Sequence, residues 1–529
     1  MMRTPVLLML MVALLAGELF AQELNPDSIV HPQPESWPTY NGDYSGRRFS
    51  TLRQINQQTI RGLSLCWVFQ TGLANGGGMI NSIKSTPLVV DGVLYFTVPD
   101  HVWAVDAASG KQLWSYEWKS RGGIHIGNRG VGIYRQWLFF ETPDNHLVSL
   151  DKNSGRLHWS VAIADLDLEY FSGAAPLVIG NHVIIGVGGD SLDVPGYVEA
   201  RDPETGALQW HFRVDPQPGE PGFETWPSEQ AAAHGGGMSW LTGTYDPDLK
   251  LYFFGTGNPN PVFAGQSRSG DNLYTASIIA LDPDTGRMIW YFQASPHDTH
   301  DWDAVETPVL IDVSIGGRNE KLLAQASRNG YFFVLDRTSG KNILTAPFVN
   351  VNWTRSVSAA GQPVGDPRKF PQTDGALTSP CSRAANWPAP SFDPDTGLFY
   401  LNATEGFCEW YLTDTSKNPE GYGGNSQELW GQLELKAIDY KTGIVRWKHP
   451  YIADSTDIAP GILTTKGGLL FTGDATGHFI AYDPETGELL WHAGLGARVS
   501  NGAVSYEIGG RQFVSVAAGS ALYTFALAR

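Results

Sequence analysis

The sequence predicts an all-β fold of the propeller class, and three observations carry that reading. Glycine is frequent, with 60 in a chain of 529 residues, or about 11% against a usual ~7%. The chain also holds 18 Trp, so turn formers and large aromatics set its character. Above all, one phrase keeps returning: an Asp, a Gly four residues on, and a Trp four further.

The phrase reads Asp106-Gly110-Trp114, Asp151-Gly155-Trp159 and Asp202-Gly206-Trp210. It continues with Asp282-Gly286-Trp290, Asp439-Gly443-Trp447 and Asp483-Gly487-Trp491, and a seventh copy, Asp336-Gly340, has Leu344 where the Trp would stand. Asp106 to Asp151 is 45 residues and Asp439 to Asp483 is 44, the length of one blade. Each copy begins as an apolar strand, such as Ser277-Ile278-Ile279-Ala280-Leu281, ends. The Asp carboxylate then caps the turn, the Gly supplies a positive φ, and the next strand carries the Trp inward between neighbouring blades. Hairpins with turn signals precede the phrases, as in Pro87-Leu88-Val89-Val90-Asp91-Gly92-Val93-Leu94-Tyr95. Asp202 to Asp282 is 80 residues and Asp336 to Asp439 is 103. Insertions of that size are where a site over the central axis is expected.

Charge and targeting narrow the class. Lys+Arg 36 against Asp+Glu 54 gives a net charge of −18, which excludes binding to nucleic acid through overall charge. Met1-Met2-Arg3, the uncharged run Val6 to Gly17 and the exit at Ala21 read as a secretory signal. Residues 1–21 are therefore expected to be removed, leaving 22–529 as a single domain in the periplasm. No later run is long and apolar enough for stable membrane insertion. There are 3 Cys and no Cys-x-x-Cys-His, so no covalently attached haem is encoded. Cys381 and Cys408, 27 positions apart, are expected to bridge. Cys66, inside the apolar run Leu63-Ser64-Leu65-Cys66-Trp67-Val68-Phe69, is expected to be a buried free thiol.

The entry Trp37-Pro38-Thr39-Tyr40-Asn41-Gly42-Asp43-Tyr44-Ser45-Gly46-Arg47-Arg48-Phe49-Ser50 resembles the mature start of pyrroloquinoline-quinone (PQQ) alcohol dehydrogenases. The Trp-bearing repeats, Gly255-Thr256-Gly257-Asn258-Pro259 and Asn386-Trp387 resemble them too. The resemblance runs from about Trp37 to the C-terminus. It implies an eight-bladed propeller with PQQ over the axis and a metal, calcium or a lanthanide(III), at its C5 carbonyl.

The resemblance also implies roles, residue by residue. Asn258 matches a side-chain amide ligand to the metal. Trp240, outside the repeat phrase, matches an indole that stacks on the quinone, where a flat aromatic face stabilises a planar ring. Arg129 matches a partner of a cofactor carboxylate, and Arg328 the cation beside the quinone oxygens. Asn386 and Trp387 match cofactor contacts. In Pro296-His297-Asp298-Thr299-His300-Asp301-Trp302-Asp303, Asp301 falls on the catalytic aspartate, and Asp303 on the second Asp that marks lanthanide-using enzymes. Residues i and i+2 of an extended segment face the same way, and two converging carboxylates call for a hard, highly charged cation.

Three positions depart from the family pattern. The metal-ligand Glu is absent from Gly188-Gly189-Asp190-Ser191-Leu192-Asp193, so the carboxylate comes from Asp190 or Asp193, with Asp190 preferred. Lys84 replaces a cofactor-contacting Glu, and Gly123-Ile124 replaces an adjacent cysteine pair. The expected function is oxidation of an alcohol or an aldehyde, with electrons passed to an external acceptor such as a c-type cytochrome, and the oligomeric state is left open. The alternatives are a PQQ sugar or polyol dehydrogenase and a non-enzymatic propeller scaffold or assembly factor.

Overall fold

Short apolar runs ending at an Asp-Gly turn become antiparallel strands, each hydrogen-bonded to the next along the chain. Thr244–Asp246, Leu251–Gly255, Ser277–Leu281 and Met288–Gln293 form one such sheet in sequence order. The computed structural model describes residues 24, 27–73, 82–124, 126–190, 192–315, 318–452 and 460–528. The expected signal, 1–21, lies outside the described residues, as does Ser191. Among the described residues, eight sheets hold four or five strands each, and Thr354–Val357 with Pro363–Gly365 forms a separate two-stranded ribbon. The fold is all-β. No helix among the described residues is long and apolar enough to cross a membrane.

The two ends of the chain share one sheet: Leu63–Gln70 pairs antiparallel with Ala521–Leu527. Phe49–Ser50 adds in parallel to Leu463–Thr465, a second clasp between early and late sequence.

The repeat phrase is the joint between neighbouring sheets. Gly110, Gly155, Gly206, Gly286, Gly340, Gly443 and Gly487 have φ from +68° to +73°, and each N–H donates to the carbonyl of its Asp at 2.8–2.9 Å. A Cβ added at Gly110, Gly155, Gly286 or Gly340 would lie 2.6 Å from an indole, that of Trp67, Trp114, Trp210 or Trp290 respectively. The Trp of one repeat thus lies on the glycine of the next, where no side chain fits. Its Nε1 donates to the carbonyl just after the next Asp: Trp114 to Lys152 at 2.9 Å, Trp210 to Pro283 at 2.7 Å, Trp290 to Arg337 at 3.1 Å. The copy with Leu344 keeps the joint, with Ala346 and Leu344 facing Gly443 instead of an indole.

One sheet departs from the rest. Leu398–Leu412 and Gly424–Asp439, of 15 and 16 residues, pair along their whole length and carry a hairpin beyond the blade. Cys381 and Cys408 are bridged, as expected. The bond ties this hairpin to the segment after Ala376–Thr378 and packs with Val262, Phe263 and Trp410. Cys66 is free but only half-buried, which corrects the expectation of burial. The register shifts between Leu65 and Trp67, so Cys66 sits at a bulge, where Arg511 Nη2 donates to its Sγ at 3.3 Å.

Candidate active site

A cavity of about 520 Å³ opens at one end of the sheets. Lys84 reaches it just before the first strand of one sheet, Leu88–Val90. Arg129 does so before Gly132–Tyr134, Ser172 before Leu177–Ile179, and Trp240 before Thr244–Asp246. Asp303 precedes Val309–Ile315 and Trp387 precedes Ser391–Asp393. Pro460 and Ser500 do the same for Leu463–Thr465 and Val504–Ile508. Antiparallel pairing puts the loop after the second strand at this end as well. Asp190, after His182–Val187, and Arg328, after Arg318–Ala326, therefore join the same wall. By the same alternation, the Asp-Gly turns lie at the opposite end.

Arg328 gathers the acids. Its Nη1 donates to Asp303 Oδ2 at 2.7 Å, its Nη2 to Asp301 Oδ2 at 3.1 Å, and its Nε to the Ser382 carbonyl at 3.1 Å. Asp303 also accepts from Trp240 Nε1 at 2.9 Å and from the Asn258 backbone N–H at 2.7 Å. Asp301 is held in a left-handed conformation, φ 62°, which costs about 1 kcal/mol or more for a non-glycine residue. Asp298 fixes that turn by accepting the backbone N–H groups of His300 at 3.0 Å and Trp302 at 2.9 Å. His297 and His300 contact the carbonyls of Gly270 and Lys369, and burial lowers their pKa values to about 4 and about 3. They are neutral supports.

The electrostatics are those of crowded carboxyls in a poorly hydrated wall. Burial is the main force pushing Asp190 up to about 7; Asp303 adds to it and Arg328 opposes it. Burial likewise drives Asp301 well above the usual carboxylate range, with Arg328 opposing and Asp303 and Asp190 adding. A hard cation bound by oxygen donors relieves such a cluster. Among the described residues, no three His, Cys, Asp or Glu side chains already converge as a finished metal site; Arg328 is the cation around which Asp301 and Asp303 are arranged.

The other wall suits a flat anion. Arg129 is buried, and its Nη1 has no hydrogen-bond partner among the described residues. Its guanidinium lies 4.3 Å from the centre of the Trp387 ring and 5.7 Å from that of Trp240. An orphaned guanidinium donor beside two indoles in one cavity is a donor set that fits a planar, carboxylate-bearing group.

Most of the sequence-predicted residues come together here: Asp190, Asp301, Asp303, Arg129, Trp240, Arg328, Asn386 and Trp387 all line the cavity. Asp193 does not; its Oδ2 accepts from the Gly421 N–H at 2.6 Å. Asn258 is adjacent through its backbone, while its side-chain amide donates to the Pro259 carbonyl at 3.2 Å and to Asn260 Oδ1 at 3.3 Å. Lys84 is buried and donates to the Ile126 carbonyl at 2.5 Å. At Gly123, φ 93°, a Cβ would meet the Pro143 carbonyl oxygen at 1.8 Å, so no side chain fits where the family resemblance would put a cysteine. Sequence reasoning missed Arg383 in the lining. Its one signal was its place three residues before Asn386.

Residues 37–374 and 425–514 match the family described as PQQ glucose/ethanol/alcohol dehydrogenase, beta-propeller domain. The quinoprotein alcohol dehydrogenase PedH of Pseudomonas putida is 35% identical, over 97% of this chain and 91% of its own length. The quinohemoprotein alcohol dehydrogenase of Comamonas testosteroni is 34% identical over 91% of this chain and 72% of its own. A crystal structure of the Comamonas enzyme superposes with TM-score 0.87 at 30% identity, covering 96% of this chain and 83% of that one. A europium-containing methanol dehydrogenase superposes with TM-score 0.85 at 27% identity, covering 95% and 100%. With the family matched over most of its length and the cavity residues in place, the chain belongs to the PQQ-dependent alcohol dehydrogenases.

Proposed function

We propose that this chain is an exported, periplasmic enzyme that oxidises a primary alcohol in the axial cavity and passes the electrons to an external c-type cytochrome. The observation that carries the site reading is that each of the eight sheets sends to one cavity a segment that leads into one of its strands. That arrangement supports a single eight-bladed ring with its site on the axis.

Within the ring, Trp240 and Trp387 offer flat faces to PQQ, and Arg129 offers its unpaired donor to a cofactor carboxylate. Asp190, Asp301, Asp303 and Asn258 surround the metal position. When bound, PQQ and its metal would supply a polarised quinone carbonyl as hydride acceptor. Asp301 takes the alcohol's hydroxyl proton, held on target by its fixed backbone and by Arg328. Arg328 keeps Asp303 oriented and offsets the negative charge around it. Three carboxyls suit a trivalent ion, since a divalent one leaves a surplus anion in a water-poor site. The europium in the methanol dehydrogenase structure is in line with that lean.

Purified protein loaded with PQQ and either a light lanthanide or calcium, then assayed on primary alcohols with a dye acceptor, tests the reading. Turnover with the lanthanide should exceed turnover with calcium, and Asp303→Ala should abolish the lanthanide-dependent part. Full activity with calcium alone, indifferent to Asp303→Ala, would overturn the metal assignment. Failure to bind PQQ at all would return the chain to a scaffold role.

A further inference from the structure

Arg383 has no part in the chemistry described so far, yet it lines the same cavity. Its backbone is fixed on both sides: Cys381 is bridged to Cys408, and the Ala384 N–H donates to the Arg328 carbonyl at 3.0 Å. Its electrostatic neighbours are Arg328, Glu428 and Asp301, whereas Arg129 acts on Lys84. Arg383 therefore belongs to the end of the cavity where Arg328 and Asp301 stand.

The guanidinium of Arg383 is under-used. Arg328 spends its donors on Asp303, Asp301 and the Ser382 carbonyl. Arg383 is half-buried, and among the described residues no hydrogen bond or ion pair reaches its guanidinium. Burial, and next the like charge of Arg328, lower its pKa. Glu428 and Asp301 act on it only at a distance; a guanidinium withdrawn from water without a hydrogen-bonded anion is costly, and a bidentate carboxylate is the group that best resolves that cost. Arg383 lines the cavity in addition to Arg328, whose guanidinium Asp301 and Asp303 already engage.

We propose that Arg383 is a specificity residue that grips a carboxylate at the far end of the substrate, so the preferred substrate class is a primary alcohol carrying a carboxylate, a short hydroxy acid. This rests on the alcohol dehydrogenase reading above. The terminal CH2–OH gives its hydroxyl proton to Asp301 and a hydride, two electrons with one proton, to the quinone cofactor. The products are the aldehyde acid and the two-electron-reduced cofactor, which the external acceptor reoxidises. The carboxylate on Arg383 is unchanged throughout.

A matched pair of substrates tests it on the loaded holoenzyme: 4-hydroxybutanoate and 1-butanol, equal in chain length and different in charge. Wild type should show the higher kcat/KM on the hydroxy acid. Arg383→Gln should lower the ratio of the two kcat/KM values by about tenfold or more, and Arg383→Lys should restore part of it. Calorimetric titration with 4-hydroxybutanoate should show a parallel loss of affinity in Arg383→Gln. Equal or better use of 1-butanol by wild type, or an equal loss on both substrates in Arg383→Gln, would overturn the proposal. No turnover of either alcohol by the loaded wild type would instead sink the dehydrogenase reading; the titration then decides by itself whether an anion binds through Arg383.

Discussion

At the turn end of the sheets, Asp202 and Asp336 each accept two backbone N–H groups of their own turn, at 2.8–3.0 Å, and the indole of a neighbouring repeat covers the glycine. At the cavity end, Asp190 and Asp301 stand at positive φ, 52° and 62°, with buried carboxyls pushed up in pKa. One residue type closes turns where its hydrogen bonds are local and complete. It carries a raised pKa where the fold buries it against like charge, even with the Arg328 guanidinium beside it. The sheets are thus built to be stable at one end and electrostatically strained at the other.

Replacing an aspartate at each end should separate the two roles most sharply. Asp301→Asn should lower kcat by ~10²–10⁴-fold, the range for a lost general base, while its thermal unfolding stays near wild type. Asp202→Asn should keep kcat and lose a little stability. Steady-state rates and melting curves on both variants check this; equal kinetic losses at the two ends would erase the contrast.

Tryptophan offers the next test. Trp210 lies against Gly286 and donates to Pro283, so Trp210→Ala should cost ~3–5 kcal/mol of stability and leave cofactor affinity alone. Trp240 lines the cavity and donates to Asp303. Its loss should weaken PQQ by ~1–3 kcal/mol, the scale of ring stacking, with a smaller effect on melting. Denaturant unfolding and fluorescence titration with PQQ read the two quantities separately. Unchanged PQQ affinity in Trp240→Ala would remove the stacking role.

The turn end was legible because its physics is local: Asp, Gly and Trp act within one repeat and its neighbour, and even Leu344 fell in the right slot. The cavity end was legible where a motif phrase placed a residue just before a first strand, as for Trp240 or Asp303. It was less so where long-range structure decides. The motif left Asp190 and Asp193 both open, with Asp190 preferred, and only the fold turns Asp193 toward Gly421. Arg383 owes its place to a bridge and a hairpin tens of residues away. Cys66 was misjudged because a bulge interrupts the alternation its apolar run suggested.

The smallest expected effect concerns the turn end of the strand whose other end leads from Trp240. Asp246, the last residue of Thr244–Asp246, forms an ion pair with Arg337 Nη2 at 2.7 Å and accepts from Lys321 Nζ at 3.2 Å. Burial pushes its carboxyl up, but the Leu249 N–H, Arg337 and Lys321 together outweigh burial and hold it below the ordinary 3.8. A depressed folded pKa adds stability that is present above the unfolded value and is lost as pH falls through the folded one. Asp246→Asn should therefore be less stable than wild type at neutral pH by on the order of 1 kcal/mol, and the gap should close as pH drops below about 3.8. Asp190, raised to about 7, has the opposite sign. In metal-free protein its contribution is full below 3.8 and fades as pH rises through about 7, so Asp190→Asn should gain on wild type over that interval. Melting temperatures of both variants against wild type between pH 3 and 8 decide the matter. Parallel pH profiles for the two would show that the ends of the sheets do not differ in how they hold their carboxyls.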